Sequence, residues 1–325
     1  MERVLVTGGA GFIGSHLVAA LLEAGKSVRV LDDLSSGSLD NLAELGDDLE
    51  VVVGDVRDAE VVERTLAGVD AVCHLAAVVS VARSFTELEL VDDVNVGGTL
   101  CALDAARRLG VNRFVLASSA AVYGDVHTLP VPESAAERPL SPYGAGKLAA
   151  EAYARALAAQ SSPDVVALRF FNVYGPRQDP SSDYAGVIAR FLDCAARGQP
   201  FTVFGDGAQT RDFVYVGDVV RAVLAAAELP SVPADGRFAV INVGSGRETS
   251  VLELAEVVAS VVAPAASSPE VAFAAPRPGD IRRSVADIGL ARSLLGYQPC
   301  VSLAEGLGAT WKWWQKQAGR VLPAG

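Results

Sequence analysis

The stretch Val4-Leu5-Val6-Thr7-Gly8-Gly9-Ala10-Gly11-Phe12-Ile13-Gly14 decides how this chain is read. The apolar run Val4 to Val6 ends in a glycine-rich turn, and Ser15 to Ala24 then continues with apolar residues at helical spacing until Gly25. Strand, glycine turn and helix follow in order. Glycines in such a turn permit a tight reversal and let the amides at a helix start approach a pyrophosphate. Gly9, Gly11 and Gly14 fit G-x-G-x-x-G, and Gly8, Gly11 and Gly14 fit G-x-x-G-x-x-G. A glycine string alone could be a flexible loop. The next strand, Ser27 to Leu31, gives it context by running into Asp32-Asp33. An acid at that strand end, about 20 residues beyond the glycines, can accept hydrogen bonds from an adenosine ribose and repels a 2'-phosphate. Dinucleotide binding, NAD rather than NADP, is the expectation.

Outward from that unit the pattern repeats. Leu49 to Val53 reads as a third strand, and in the following Gly54-Asp55-Val56 the last two residues could reach an adenine edge. Ala59 to Leu66 is helical, and Ala71 to Leu75 is a fourth, buried strand ending in Ala76-Ala77, small enough to let a cofactor lie close. A long helix is expected over about Asp92 to Leu109, and the strand Arg113 to Ala117 ends in Ser118-Ser119-Ala120-Ala121-Val122-Tyr123-Gly124. Alternation of this kind predicts an α/β fold, a Rossmann-type doubly wound parallel sheet covered on both faces. Ligands in such sheets sit beyond the strand carboxyl ends, where Thr7, Asp32, Ala76 and Ser119 fall.

Ser141-Pro142-Tyr143-Gly144-Ala145-Gly146-Lys147 follows. Ser141 is a good N-cap and Pro142 a good first helical residue, which places Tyr143 in the first turn with Lys147 one turn on. An ammonium beside a phenol near the positive end of a helix is expected to lower the phenol pKa and make Tyr143 a general base. A Tyr-x-x-x-Lys spacing is common in ordinary amphipathic helices; its position after the serine strand end gives it weight. The strand Val165 to Phe171 then leads into Asn172-Val173-Tyr174-Gly175-Pro176, after which the alternation loosens. Residues 1–171 are read as an NAD-binding domain and 172–325 as a smaller C-terminal substrate-binding domain, with part of 212–246 returning to the first. Arg211 and Arg277 are the cations expected to grip phosphate.

The 325 residues carry 20% charged and 50% apolar side chains, the composition of a folded globular chain, and a net charge of -12. Such acidity argues against nucleic acid or an anionic membrane as a partner. Four scattered cysteines and three scattered histidines have no metal-ligand spacing and imply no disulfide. Met1-Glu2-Arg3 leads straight into the first strand, no apolar run reaches membrane-spanning length, and a reducing cytoplasm is the expected compartment.

Taken together, Gly8-x-x-Gly11-x-x-Gly14, Ser119 in its serine-alanine run, Tyr143-x-x-x-Lys147, Arg169-Phe170-Phe171-Asn172-Val173-Tyr174-Gly175-Pro176 and Arg211-Asp212-Phe213 resemble the extended short-chain dehydrogenase/reductase family along essentially the whole chain. Within it the chain looks like the nucleotide-sugar 4-epimerases. Arg177-Gln178-Asp179-Pro180 with Asp183-Tyr184-Ala185, and the run Gly279 to Asp287, are most similar to the branch acting on UDP-N-acetylglucosamine and UDP-N-acetylgalactosamine.

The resemblance implies tightly bound NAD+ that takes hydride from the sugar C4 and returns it to the other face of a 4-keto sugar. Tyr143 then removes the 4-hydroxyl proton, Ser119 orients or relays it, and Lys147 holds the nicotinamide ribose. It implies cofactor contacts at Gly8, Gly11, Phe12, Ile13, Gly14, Asp32, Asp33, Ser36, Gly37, Asp55, Val56, Leu75, Ala76, Ala77, Asn95, Ala117, Ser118, Tyr143, Lys147 and Phe170. For the UDP-sugar it implies Ser80, Ser119, Tyr143, Asn172, Val187, Phe204, Arg211, Arg277 and Asp280. Ser284 stands at a gate near the sugar 2-substituent, where a small residue leaves room for an N-acetyl group. Family 4,6-dehydratases carry an Asp-Glu pair where this chain has Ala120-Ala121, so elimination is disfavoured. A UDP-glucuronate 4-epimerase and a non-catalytic NAD-sensing protein are the rival readings; the latter usually lacks the tyrosine or lysine. The family's habit of pairing through the tyrosine helix and the one before it implies a homodimer.

Overall fold

The structure, a computed structural model, describes every residue except 47, 179–185, 233–236, 263–269, 277–280 and 322–325, and does not describe the side chains of 318–321. In chain order the first half comprises β1 (Arg3–Thr7), α1 (Phe12–Glu23), β2 (Ser27–Asp32), β3 (Leu49–Val53), α2 (Ala59–Leu66), β4 (Ala71–His74), α3 (Val81–Thr86), α4 (Leu88–Asp92), α5 (Gly98–Arg108), β5 (Arg113–Ser119), α6 (Pro142–Ala158) and β6 (Asp164–Phe170). The second half comprises β7 (Asn172–Tyr174), α7 (Val187–Ala196), β8 (Phe201–Phe204), β9 (Thr210–Arg211), β10 (Phe213–Tyr215), α8 (Val216–Glu228), β11 (Phe238–Val243), β12 (Thr249–Ser250), α9 (Val251–Val262), β13 (Val271–Ala274), α10 (Gly289–Leu295) and α11 (Leu303–Val321).

Seven parallel strands form one sheet in the order β11-β6-β5-β4-β1-β2-β3. Strand order reverses between β1 and β4, which opens a crevice at their carboxyl ends where a ligand can enter. Continuous apolar runs such as Val4-Leu5-Val6 are what a strand covered on both faces requires. One face packs on Leu17, Val18 and Leu21 of α1 and Val219 and Val223 of α8. The other packs on Val62 and Leu66 of α2, Leu103 and Ala106 of α5, and Ala150 and Ala154 of α6.

Two later elements lie with this sheet: α8 packs against α1, and β11 extends the sheet beside β6 with Asn242 opposite Arg169. A smaller core collects Phe191, Leu192, Phe201, Val203, Leu254, Val258 and Leu307, with the Phe191 and Phe201 rings stacked at 4.8 Å. Around it are the parallel pairs β8·β13 and β7·β10 and the antiparallel pair β9·β12. Among the described residues no helix is long and apolar enough to cross a membrane.

The helix expected from Asp92 differs from what is found. Helical structure starts at Leu88, widens into a π turn over Asp93–Gly97, and resumes as α5. The π turn buries Asn95, whose amide donates to Val78 O at 3.1 Å and accepts from Val78 N at 2.8 Å. A π turn inserts a residue into the 3.6-residue repeat, so periodicity alone does not reveal it.

Candidate active site

The glycine turn sits at the carboxyl end of β1. Gly8 has φ +70, and a Cβ there would stand 2.7 Å from Ala76 N, so only glycine lets the end of β4 close on this turn. Gly11 is the N-cap of α1, which begins at Phe12, earlier than expected, and includes Ile13 and Gly14. Asp32 is buried, its two oxygens accepting from Ala10 N at 2.9 Å and Leu34 N at 2.8 Å. Burial, against those two bonds, raises its carboxyl above the usual range. Asp33 is exposed and turns back on Ser35. Exposed Ser36 and half-buried Gly37 precede Ser38, whose amide donates to Ala10 O at 3.1 Å and closes this loop on the glycine turn. Asp55, beyond β3, is held below the usual range by its Arg57 partner, and Val56 is buried.

The second cluster is built on α6. Ser141 caps the helix by accepting from Gly144 N at 3.1 Å, Pro142 is the first helical residue, and Tyr143 and Lys147 lie one turn apart, as the spacing predicts. Both are buried. Gly144 is where the helix start meets the turn after β5: a Cβ there would stand 2.6 Å from Ala121 O. Ser119 thereby faces the Tyr143 phenol while accepting from Ala121 N at 3.1 Å. Lys147 Nζ donates to Ala117 O at 2.9 Å and lies 6.0 Å from the Tyr143 ring centroid. Phe170, buried, pairs with Ser119 across the β5·β6 ladder. Ser118, one residue earlier on β5, also meets α6, and its hydroxyl donates to Glu151.

One expectation is corrected here. Burial raises the Tyr143 phenol above its ordinary value, with the Ser119 hydroxyl acting the other way. A buried phenolate loses its water, and an ammonium 6.0 Å from the ring centroid and bonded to Ala117 O does not offset that loss. Lys147 is itself pulled down to about 8 by burial, with Glu151 opposing. His74, at the end of β4, is lowered to about 3 by burial and then by the Lys147 charge, so it is neutral. The Thr99 hydroxyl donates to Asn95 O, so His74 Nε2 donates to Thr99 at 3.1 Å and Nδ1 accepts from Thr7 at 2.9 Å. This chain of neutral groups braces Leu75-Ala76-Ala77 from below, since Thr7 Oγ1 also accepts from Ala76 N at 3.2 Å.

Ser80 is buried as the N-cap of α3, accepting from Arg83 N at 3.0 Å. Asn172 opens β7 and is exposed, Val187 opens α7, and Phe204 closes β8. Arg211 Nη1 donates to Thr210 O and Ile281 O, both at 2.7 Å. Thr210 N also donates to Arg282 O at 3.0 Å, and Ala286 N to the buried Asp212 Oδ2 at 3.0 Å. The segment carrying Ser284 is thus tied to the Arg211 strand. Arg277, Asp280, Asp179, Pro180, Asp183, Tyr184, Ala185 and Gly279 lie outside the described residues.

Asn95 is buried and anchored to Val78 through Oδ1 and one of its two amide N–H groups, which leaves the second N–H for a further partner. Sequence reasoning missed Asp212, which accepts from Ser245 N, Ser245 Oγ, Gly246 N and Ala286 N. It also missed Glu151, although an acid between Ala150 and Ala154 on an otherwise small-residue helix face was a legible signal.

The glycine turn, the acid that closes it and the small residues facing it form a cradle that fits a dinucleotide, with the Ser119-Tyr143-Lys147 cluster at the neighbouring strand ends. Comparisons with known proteins agree with this geometry. A family model described as "NAD dependent epimerase/dehydratase family" matches residues 4–244. A "UDP-glucose 4-epimerase" of Mycolicibacterium smegmatis is 44% identical over 319 residues, covering 95% of this chain and 97% of the relative. The structure of a UDP-N-acetylglucosamine 4-epimerase from Methanobrevibacter ruminantium M1, in complex with UDP-N-acetylmuramic acid, superposes with a TM-score of 0.91 at 37% identity, covering 97% of this chain and 99% of that one. That of a UDP-glucuronic acid 4-epimerase from Bacillus cereus, in complex with UDP-glucuronic acid and NAD, does so with a TM-score of 0.88 at 32% identity, covering 97% and 100%. The chain therefore belongs to the NAD-dependent epimerase/dehydratase family, in the extended short-chain dehydrogenase/reductase class, and its cofactor is NAD.

Proposed function

We propose that this chain is an NAD-dependent 4-epimerase of UDP-hexoses, interconverting UDP-N-acetylglucosamine with UDP-N-acetylgalactosamine, and UDP-glucose with UDP-galactose. The observation that carries the reading is the Ser119-Tyr143-Lys147 cluster, followed by Ala120-Ala121 in place of an acid and base that could eliminate water. The names of the similar proteins above support 4-epimerisation of a UDP-sugar, and their range of sugars leaves the choice to residues of this chain.

NAD, when bound, brings a cationic ring and a reversible acceptor for the hydride of the sugar C4. Tyr143, whose phenol burial raises, would reach its phenolate once the positive charge of the bound cofactor ring adds to that of Lys147; it takes the 4-hydroxyl proton and later returns it, and Ser119 holds that hydroxyl in line by hydrogen bonding. Lys147 must be protonated to favour the phenolate and to donate to a ribose hydroxyl. Asp32 and the amides of the glycine turn hold the adenosine and pyrophosphate. Asn172, Val187, Phe204 and Arg211 grip the UDP group together with Arg277 and Asp280, and Ser80 faces the sugar. Ser284, half-buried on the segment tied to Arg211, leaves space beside the sugar 2-position.

Two copies would pair through α6 and the helix before it, about Asp92 to Leu109, as a four-helix bundle, with α3 and α4 packed beside α6 at its edge. Val81, Phe85 and Leu88 and, on α6, Tyr153 are exposed apolar side chains on neighbouring helices. The function test is to supply purified protein with UDP-N-acetylglucosamine and no added NAD. Formation of UDP-N-acetylgalactosamine to a fixed ratio is expected. A panel with UDP-glucose and UDP-glucuronate separates the rivals: conversion of UDP-glucuronate alone refutes the substrate assignment, and conversion of none refutes the activity.

A further inference from the structure

The mechanism above leaves the buried carboxylate of Glu151 unused. Glu151 lies on α6 one turn beyond Lys147 and is only 2% exposed. Its Oε1 accepts from Ser118 Oγ and from Arg169 Nε at 3.0 Å, and its Oε2 accepts from Arg169 Nη2 at 2.6 Å. Arg169, on β6, is 0% exposed; it also reaches Glu137, and its guanidinium lies 4.7 Å over the Tyr123 ring. Tyr123 in turn donates to Asn242 Oδ1 at 2.7 Å. Beyond Lys147 the other buried positions of this helix, Ala150, Ala154 and Ala158, are alanines, and a fourth small apolar residue would have avoided the desolvation of a carboxylate.

We propose that Glu151 is a positioning residue for the catalytic pair: clamped between Ser118 and Arg169, it fixes α6 against β5 and β6 and keeps the neighbouring Lys147 protonated. The proposal rests on the epimerase reading for its effect on turnover. The geometry gives each part a task. Ser118 precedes Ser119, so the Ser118–Glu151 bond sets the strand end carrying Ser119 relative to the helix carrying Tyr143. The Arg169 fork holds the carboxylate in one orientation, within one helical turn of the ammonium. The groups around Lys147 are Tyr143 and Glu151 on its own helix, Ser119 and Ala117 O on β5, and neutral His74 on β4; Arg169, Glu137 and Tyr123 stand behind Glu151. Of the charges acting on Lys147, Glu151 opposes the lowering that burial imposes.

Lysine ionisation can be read directly, because the chain has only Lys26, Lys147, Lys312 and Lys316. The test is an NMR titration of lysine ε-carbons in NAD-loaded protein labelled at lysine, with the Lys147 signal assigned by its loss in Lys147→Arg. It is run on the parent, Glu151→Gln, Glu151→Asp and the double variant Glu151→Gln/Arg169→Met. The double variant removes both partners and so leaves no buried unpaired charge, which covers the case in which Glu151→Gln does not fold.

The Lys147 midpoint is expected to fall by about one pH unit in Glu151→Gln, to fall by a smaller but readable amount in the double variant, where the Arg169 cation leaves together with the nearer carboxylate, and to move back towards the parent in Glu151→Asp. Since protonated Lys147 is lost as pH rises through its midpoint, the alkaline limb of kcat shifts the same way. At a pH equal to the parent midpoint the protonated fraction goes from about one half to about one tenth, a roughly fivefold loss of kcat. A parent-like Lys147 midpoint in the folded variants overturns the proposal. Should the parent convert no UDP-hexose, the epimerase reading fails, and the titration still decides the assignment of Glu151.

Discussion

Replacing Asp32 with asparagine tests how the cofactor cradle is built. The carboxylate closes the turn by accepting from Ala10 N at 2.9 Å and Leu34 N at 2.8 Å, one bond on each oxygen, and is 7% exposed. Asparagine offers one oxygen and one NH2, so one of the two amides then faces a donor. Losing one charge-assisted bond and burying two opposed donors costs about 2 kcal/mol. At about 2 °C per kcal/mol for a chain of this size, the melting point should drop by about 4 °C. The same change removes the charge that repels a 2'-phosphate. Two unit charges 4 Å apart at an effective dielectric of about 20 repel by about 4 kcal/mol, so even a fraction of that should raise NADP affinity at least about tenfold. Differential scanning fluorimetry and fluorescence titration with NADPH measure both effects. An Asp32→Asn protein that melts at the parent temperature and still rejects NADP would refute both the two-amide clamp and the electrostatic selection.

Three further outcomes follow from the site. Tyr143→Phe should lower kcat about 1000-fold without lowering the melting point, because only a buried hydroxyl facing Ser119 is removed; a fully active variant would sink the base assignment. Ser284→Tyr should cut turnover of the N-acetylated sugars about 100-fold and leave UDP-glucose within a few-fold, measured as kcat/KM on both; equal losses would show a general effect on the UDP site rather than a gate. Asp212→Asn should cost about 3 kcal/mol in denaturant unfolding and raise the KM for UDP-sugar more than it lowers kcat. The reason is that Asp212 accepts from Ser245 N, Ser245 Oγ, Gly246 N and Ala286 N and so holds the segment that carries Ser284. A KM equal to the parent's would separate Asp212 from substrate binding.

Local physics made much of the site legible in the chain itself. Glycine at Gly8, the Ser141 cap, proline at Pro142 and the acid at Asp32 each act within a few residues or at one strand end, and the structure places all four as their chemistry demands. Helix spacing likewise put Tyr143 and Lys147 on one face. Their electrostatics were not legible. The direction of the Tyr143 shift depends on how much water the surrounding elements remove, and that depth is a property of the packed fold.

Distance along the chain marks the division more generally. Strand, glycine turn, helix and acid were determined by the sequence alone, because stereochemistry and short-range hydrogen bonds specify them. Tertiary structure decided the π turn that fastens Asn95 to Val78 and the seventh strand that sets Asn242 opposite Arg169. It also decided the clamp joining Ser118, Glu151 and Arg169 across a helix and two strands. Each joins segments remote in sequence, and their partners become favourable only when folding brings them together and excludes water, so no local pattern in the chain announces them.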